Sequence, residues 1–299
     1  MINNFSILDI FHQLPFFLNF IFIFIFGAII GSFLNVVILR EESGESLNGR
    51  SACPKCHNQI RWYDLIPIFS WLMLLGKCRK CRARISVQYP LVEFATGLLF
   101  LMIYLKSFNA GFTGTGMIIF TFWHGLMFAL LICMFVFDLY HKIIPDKWSF
   151  TFSGLALGQT LYILFKTIPL ESIMNFYLPN LVWLNLFAGI IFFIPFFLLW
   201  FLSGGRLIGL GDGKFALGIG WYLGFIYGLS AIILGFWIGA VFAIFLLLND
   251  KFGLFKGRLN KGKKNITMKT EVPFGPFLIA GILIQFFWAM DVIGVGLFF

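Results

Sequence analysis

The sequence is poor in charged residues. They make up 12% of its 299 residues, and only 13 are Asp or Glu, whereas 60% are hydrophobic. This composition excludes an ordinary soluble domain. The HExxH and GxSxG patterns are absent as well, which argues against a zinc protease of that type and against a serine hydrolase built on a nucleophile elbow. The candidate chemistry therefore lies in the few carboxylates and in the cysteines.

Long apolar runs fill most of the chain. About 20 apolar residues cross a bilayer as a helix, and eight such runs can be drawn, at about 15–39, 89–105, 116–137, 148–165, 181–203, 214–228, 229–248 and 274–297. The sixth and seventh runs are separated only by a possible turn near 224–228, so seven or nine crossings stay open. The sequence predicts an all-α polytopic membrane protein with about eight transmembrane helices, the first of them within residues 1–39.

The net charge of +9 is concentrated in the connections between runs. Nine Lys and Arg lie between the first and second runs, and seven lie between the seventh and eighth. Positive residues near helix ends stay in the cytoplasm, and eight crossings leave only Lys106 and Lys166 on the other side. The charge is thus a topology signal and not a nucleic-acid surface. It predicts that residues 40–88 form a cytoplasmic loop.

Four of the five cysteines form two C-x-x-C pairs in this loop, with 21 residues between the pairs. The spacing is typical of a zinc ribbon, in which each pair supplies two thiolates from one tight turn. A reducing cytoplasm makes disulfides the less favoured use of these thiols. Four thiolates leave no open position on the metal, so a structural zinc ion is preferred to a catalytic one. The predicted ligands are Cys53, Cys56, Cys78 and Cys81.

Two aspartates stand where an ionised side chain is expensive. Asp138 ends the third apolar run, and Asp212 lies in a glycine-rich turn. Carboxylates near hydrocarbon usually face a protein interior or a water-filled cavity and mark function. Gly209 and Gly211, like Gly213, are expected to permit positive φ and close backbone approach, so that Asp212 is presented at an opening of the helix bundle.

Two facing carboxylates can share one proton, one acting as general base on a water while the other polarises a carbonyl group. Two other acids have simpler interpretations: Asp146 follows Pro145 and is expected to cap the fourth helix, and Glu93 either pairs with a loop arginine or lines the same cavity. A proton-coupled transporter, with Asp138, Asp212 and Glu93 as a relay, is the alternative from another class. A membrane anchor that presents a zinc-ribbon module is a third, although it leaves the aspartates unexplained.

The ordered motifs of the chain resemble the type IV prepilin peptidases, a family of bacterial inner-membrane leader peptidases and N-methyltransferases. The resemblance runs along nearly the whole chain. Its motifs are Gly31-Ser32-Phe33-Leu34-Asn35-Val36-Val37, the two cysteine pairs, Gly76-Lys77-Cys78, Tyr89-Pro90-Leu91-Val92-Glu93, Asp138 with Pro145-Asp146, Gly209-Leu210-Gly211-Asp212-Gly213-Lys214 and Pro273-Phe274-Gly275-Pro276.

The resemblance implies that Asp138 and Asp212 are the catalytic pair, supported by Gly209, Gly211, Lys214 and Glu93. It also implies cleavage of the basic leader of prepilins or prepseudopilins after a glycine, followed by methylation of the new N-terminal amine from S-adenosylmethionine. No βαβ unit with a nucleotide turn is present. The methyl-donor site is therefore expected in the cytoplasmic loop and the helix ends, and the peptidase core in residues 89–299.

Overall fold

The computed structural model describes residues 16–167, 180–252 and 272–292, and within these ranges it is helical, without a strand. In chain order the helices are α1 (Phe16–Ser43), α2 (Phe69–Met73), α3 (Gln88–Asn109), α4 (Gly114–His141), α5 (Asp146–Thr167), α6 (Asn180–Ser203), α7 (Leu210–Phe252) and α8 (Gly275–Trp288), and a 3₁₀ turn spans Trp62–Leu65. The all-α prediction is confirmed. Most of the basic connection predicted before the last helix, residues 253–271, lies outside the described residues.

Within the described ranges, five helices are long and apolar enough to cross a membrane, namely α1, α3, α4, α6 and α7. The apolar part of α7, Leu210–Leu248, has 39 residues, and at 1.5 Å per residue it is about 58 Å long, nearly twice the hydrocarbon thickness. Gly224 divides it, with φ 76° and ψ −177°. The two segments correspond to the sixth and seventh predicted runs, and the break falls where the sequence predicts the turn.

Side chains of neighbouring helices bond the backbone near this break. Asn185 Oδ1 accepts the Phe225 N–H at 2.8 Å, and Thr160 Oγ1 donates to the Trp221 carbonyl at 2.6 Å. A Cβ atom at Gly224 would lie 2.7 Å from Asn185 Oδ1. Non-helical backbone at membrane depth is tolerated where other groups satisfy its hydrogen bonds. The break in α7 is therefore stabilised by its neighbouring helices.

The chain forms two compact units, Met1–Cys133 and Met134–Phe299. In the first unit α1 packs along α3, around Ile23, Phe100 and Tyr104. The helices approach closely at glycines, since a Cβ atom at Gly31 would lie 2.8 Å from Thr96 Oγ1. Small residues at such contacts let membrane helices pack backbone to backbone.

In the second unit α7 is the central helix and packs against α5, α6 and α8. Phe152 of α5 and Phe215 of α7 are fully buried against each other. Gly220 lies so close to α6 that its Cβ atom would be 2.6 Å from the Ala188 carbonyl carbon. This packing fixes the first turns of α7, where the candidate carboxylate Asp212 is found.

Candidate active site and metal centre

Asp138 lies in the last turn of α4 and is 3% exposed. The Gly275 N–H, at the start of α8, donates a hydrogen bond to its carboxylate. Its Oδ2 atom is buried and has no hydrogen-bond partner among the described residues. A buried carboxylate oxygen without a partner is costly, which marks this atom as a candidate for chemistry.

Asp212 lies in the first turn of α7, because the helix begins at Leu210 and not at 214 as the sequence predicts. The Gly209 N–H donates to its carboxylate, the contact that an acidic residue makes with the N-cap residue three positions before it. The expected positive φ at Gly209, Gly211 and Gly213 is wrong; positive φ occurs instead at Gly204 and Gly205. The turn orients Asp212 through a helix cap and not through left-handed backbone.

Asp138 and Asp212 are close enough for their charges to repel each other. Ile144 lies close to Gly211, beside Asp212, and to Gly275, at the start of α8. A Cβ atom at Gly211 would lie 3.6 Å from Ile144 Cβ, and one at Gly275 would lie 3.1 Å from Ile144 Cδ1 and 2.6 Å from Asp138 Oδ2. Ile144 therefore lies against both the turn that carries Asp212 and the start of α8, and the close approach of α8 to Asp138 requires a residue without a Cβ atom.

Asp146 and Lys214 form an ion pair. In the chain, Asp146 follows Asp138 and Lys214 follows Asp212. Lys214 Nζ lies 2.7 and 2.8 Å from the two Asp146 oxygens. The cap predicted for Asp146 is not the contact that its side chain makes; it is the first residue of α5, and its oxygens accept from the lysine. The pair joins α5 to the turn that carries Asp212. The sequence does not predict this contact of Lys214.

The four loop cysteines converge. Their sulfur atoms all lie within 4.8 Å of one another, and Cys53 Sγ is 3.8 Å from Cys81 Sγ. A tetrahedral zinc site with Zn–S bonds of about 2.3 Å has edges of about 3.8 Å. The cluster therefore fits a zinc ion with little adjustment.

The two cysteine turns have the same backbone design. The Cys53 N–H donates to the Asn58 carbonyl and the Cys78 N–H to the Ala83 carbonyl, at 3.0 and 2.8 Å. The residue after the second cysteine of each pair has a positive φ, 52° at His57 and 58° at Arg82. Each turn thus presents two sulfur atoms, as the C-x-x-C spacing predicts.

The thiols differ in acidity. Backbone N–H groups of Cys81 and Lys80 lower the pKa of Cys78 to about 7. A backbone bond from Ala83 lowers the pKa of Cys81, but burial and the sulfur atoms of Cys56, Cys78 and Cys53 outweigh it and raise that pKa to about 11. Four thiolates repel one another at this distance, so a cation is needed to hold all of them ionised.

Glu93 belongs to the first unit and is 7% exposed. Its Oε2 atom accepts the Ile68 N–H at 2.6 Å, and Ser32 of α1 also bonds to it. The partners of Glu93 are a backbone N–H group and a serine, not the loop arginine that was one of the two roles left open by the sequence; the shared cavity stays a prediction. Its carboxylate joins α1, α3 and the loop.

The loop contains a cavity of about 630 Å³ that is open to solvent, and Trp62 in its lining is largely exposed. Small-molecule sites typically measure about 300–1,000 Å³. Gln59, one of the residues that line the cavity, forms an isolated β-bridge with Ala52, next to the first cysteine turn. The cavity is lined by Gly49, Arg50, Ser51, Gln59, Ile60, Arg61, Trp62, Tyr63 and Leu65. The sequence predicts a methyl-donor site only as far as the cytoplasmic loop and the helix ends, because none of these lining residues forms a nucleotide-binding motif.

Membrane-spanning helices, a buried Asp138 beside a half-buried Asp212, and a four-cysteine cluster define a polytopic membrane protein with a candidate carboxylate active site. Residues 25–107 match the family described as the bacterial peptidase A24 N-terminal domain. A prepilin leader peptidase/N-methyltransferase of Xanthomonas campestris is 29% identical over 89% of this chain and 90% of its own length. The corresponding protein of Aeromonas salmonicida is 29% identical over 94% of both chains.

Higher identity covers shorter stretches. A prepilin leader peptidase/N-methyltransferase of Myxococcus xanthus is 39% identical over 142 residues, which is 47% of this chain and 39% of that protein. No solved structure matches the chain. Along most of its length the chain is therefore similar to prepilin leader peptidase/N-methyltransferases, which are enzymes, as the motifs in its sequence predict.

Proposed function

We propose that this protein is an aspartyl endopeptidase of the bacterial inner membrane. It cleaves the basic leader of type IV prepilins or prepseudopilins after a glycine, and it methylates the new N-terminal amine with S-adenosylmethionine. The substrates serve a type IV pilus or a type II secretion system. The observation that carries the proposal is the mutually repelling pair of the buried Asp138 and the half-buried Asp212.

Two carboxylates whose charges repel each other share one proton, because both cannot ionise easily. The ionised member removes a proton from water as the water oxygen attacks the scissile carbonyl carbon. The protonated member donates its hydrogen bond to the carbonyl oxygen. When the tetrahedral intermediate collapses, a carboxyl group protonates the leaving nitrogen, so the C–N bond breaks with release of an amine. The Gly275 and Gly209 N–H groups hold the two carboxylates in place.

The test replaces Asp138 or Asp212 with Asn in the full chain, with a co-expressed prepilin. Asn keeps the shape of the side chain but can neither accept nor return the proton, so each variant is expected to lose cleavage by at least about 10²-fold. Asp146→Asn is the matched control, and it should cleave at a rate near that of the wild type. Mass spectrometry of the pilin N-terminus reads cleavage and methylation together. Full cleavage by either variant of the pair would reject the mechanism.

The four-cysteine cluster is proposed to bind a structural zinc ion. Cys53, Cys56, Cys78 and Cys81 would supply all four ligands, which leaves no position for a catalytic water. When bound, the ion supplies the positive charge that keeps the sulfur atoms ionised and the two turns together. Residues 40–88 are then the metal domain of the chain, and residues 89–299 carry the peptidase.

The methyl donor is proposed to bind in the cavity of the same loop. S-adenosylmethionine supplies an electrophilic methyl group, and its adenine and carboxylate suit an aromatic ring and a guanidinium group. Trp62 and Arg50 line the cavity, and they would hold these two parts. Since stacking on an aromatic side chain contributes about 1–3 kcal/mol per base, Trp62→Ala should weaken S-adenosylhomocysteine binding by roughly 5- to 150-fold in calorimetry. Unchanged affinity would exclude this cavity.

The active site is proposed to lie at the cytoplasmic face. The excess of Lys and Arg in the connections on one side supports that orientation. A prepilin presents its basic leader to the cytoplasm while its apolar helix occupies the bilayer, so the bond to be cut lies at the same depth as the ends of α4 and α7. The partners are thus a membrane-embedded substrate and the lipid bilayer, with no nucleic acid.

A further inference from the structure

The short helix α2 turns its apolar side outward. Phe69, Leu72 and Met73 are 57%, 56% and 68% exposed, and Leu75, just after the helix, is 80% exposed. Residues at i, i+3 and i+4 lie side by side on a helix, so the first three form one face. Ser70, on the other side of the helix, is buried. This arrangement is the reverse of the one expected for a loop surrounded by water.

A strained turn fixes this face beside a membrane helix. Ile68 has φ 62° and ψ −53°, and the Phe69 N–H donates to the Pro67 carbonyl at 2.5 Å. This is a γ-turn with positive φ, rare for any residue and an outlier for a β-branched one. The Ile68 N–H is held by Glu93, at 2.6 Å. Glu93 lies about 8 Å along α3 from its first residue, so the turn is at the depth where the helix enters the membrane.

The surroundings of this face are basic. Residues 44–87 contain eight Lys and Arg but only two acids. One of the acids, Asp64, is already bound by Arg79 at 2.6 Å. Lys77, Lys80 and Arg82 follow the apolar face directly in sequence and are exposed. Apolar side chains rimmed by Lys and Arg, at the end of a spanning helix, are typical of a segment that lies in the lipid interface.

We propose that the apolar face formed by Phe69, Leu72, Met73 and Leu75 lies in the headgroup layer of the membrane that the chain spans, held there by anionic phospholipid. The charge of the loop selects this occupant. A basic peptide would be repelled by the surrounding Lys and Arg, whereas an anionic headgroup layer is attracted to them and also accommodates the apolar side chains. The loop is then attached to the membrane at two places, through Glu93 in the protein and through α2 in the lipid.

The test places a photoreactive benzoylphenylalanine at Met73 in the full chain, reconstituted in nanodiscs that contain phosphatidylglycerol. Lys55, exposed in the first cysteine turn, is the matched control position in the same loop. Irradiation should give a chain-plus-lipid adduct at position 73, severalfold more abundant than at position 55. The adduct should decrease when phosphatidylcholine replaces the anionic lipid, since the basic rim then loses its partner. Adducts are identified by intact-mass and peptide mass spectrometry.

A protein–protein or intrachain adduct at position 73, equal lipid adducts at the two positions, or a yield independent of lipid charge would each overturn the proposal. A bound zinc ion in each variant shows that the loop is folded. The same probe at Leu75 provides a second reading if the Met73 variant does not fold. Because the readout does not involve a prepilin, a failure here is distinct from a failure of the proposed peptidase activity.

Discussion

Replacement of Gly275 by alanine tests the geometry of the aspartate pair directly. The added Cβ atom would lie 2.6 Å from Asp138 Oδ2 and 3.1 Å from Ile144 Cδ1, where ordinary contact begins at 3.4 Å. The Asp138 carboxylate would have to move by about 0.8 Å to reach that contact. Since a misplacement of about 1 Å can cost about 10²-fold in rate, we expect kcat/KM for prepilin cleavage to fall by about 10- to 100-fold.

The backbone at position 275 does not oppose alanine, because Gly275 is helical and has no positive φ. Gly158→Ala on α5 is the matched control, since a Cβ atom there meets nothing within 4 Å. Both variants are compared by cleavage kinetics and by thermal unfolding in the same detergent. Adding Ile144→Ala to Gly275→Ala makes space beside the carboxylate and should restore part of the lost rate. A Gly275→Ala enzyme with the wild-type rate would refute the placement of Asp138 against α8.

Three further predictions concern the ion pair, the thiols and the helix break. The Asp146–Lys214 pair should contribute less than about 1 kcal/mol in a double-mutant cycle of thermal unfolding, because the Asp146 side chain is 59% exposed; a larger coupling would contradict this. In metal-free protein, alkylation of Cys78 should rise with pH around its lowered pKa of about 7, since the thiolate is the reactive form; a midpoint near an ordinary 8.5 would count against it. Gly224→Ala should destabilise the protein by about 1–3 kcal/mol, because φ is positive and Asn185 is in the way; equal melting temperatures would disprove the strain.

Hydropathy predicts most of this fold because a membrane helix must satisfy its own backbone within one apolar run. The apolar runs, and the division of the longest one, correspond to helices in the described ranges. The sequence predicts the start of α7 at residue 214, four residues after its observed start at Leu210, because Gly209, Gly211 and Gly213 indicate a turn. In the structure these glycines cap and pack the helix, and only the position of α6 and Ile144 determines that.

The candidate site shows the same division between local and long-range information. The cysteine spacing encodes its own turn, so the convergence of the four sulfur atoms follows from local sequence. The contacts of Asp138 with Gly275, and of Asp146 with Lys214, join residues far apart in the chain. Gly275 belongs to the motif Pro273-Phe274-Gly275-Pro276, but nothing in the neighbouring residues indicates that its missing Cβ atom makes room for a carboxylate.

The self-contained design of the two cysteine turns bears on the order in which the protein is made. Every ligand of the proposed zinc site lies between Cys53 and Cys81, and the hydrogen bonds that shape the two turns are made between Cys53 and Ala83. During synthesis the loop can close on its proposed metal as soon as Ala83 has left the ribosome. Asp138 and Asp212 have not been translated at that time, so the loop is complete before the aspartate pair exists.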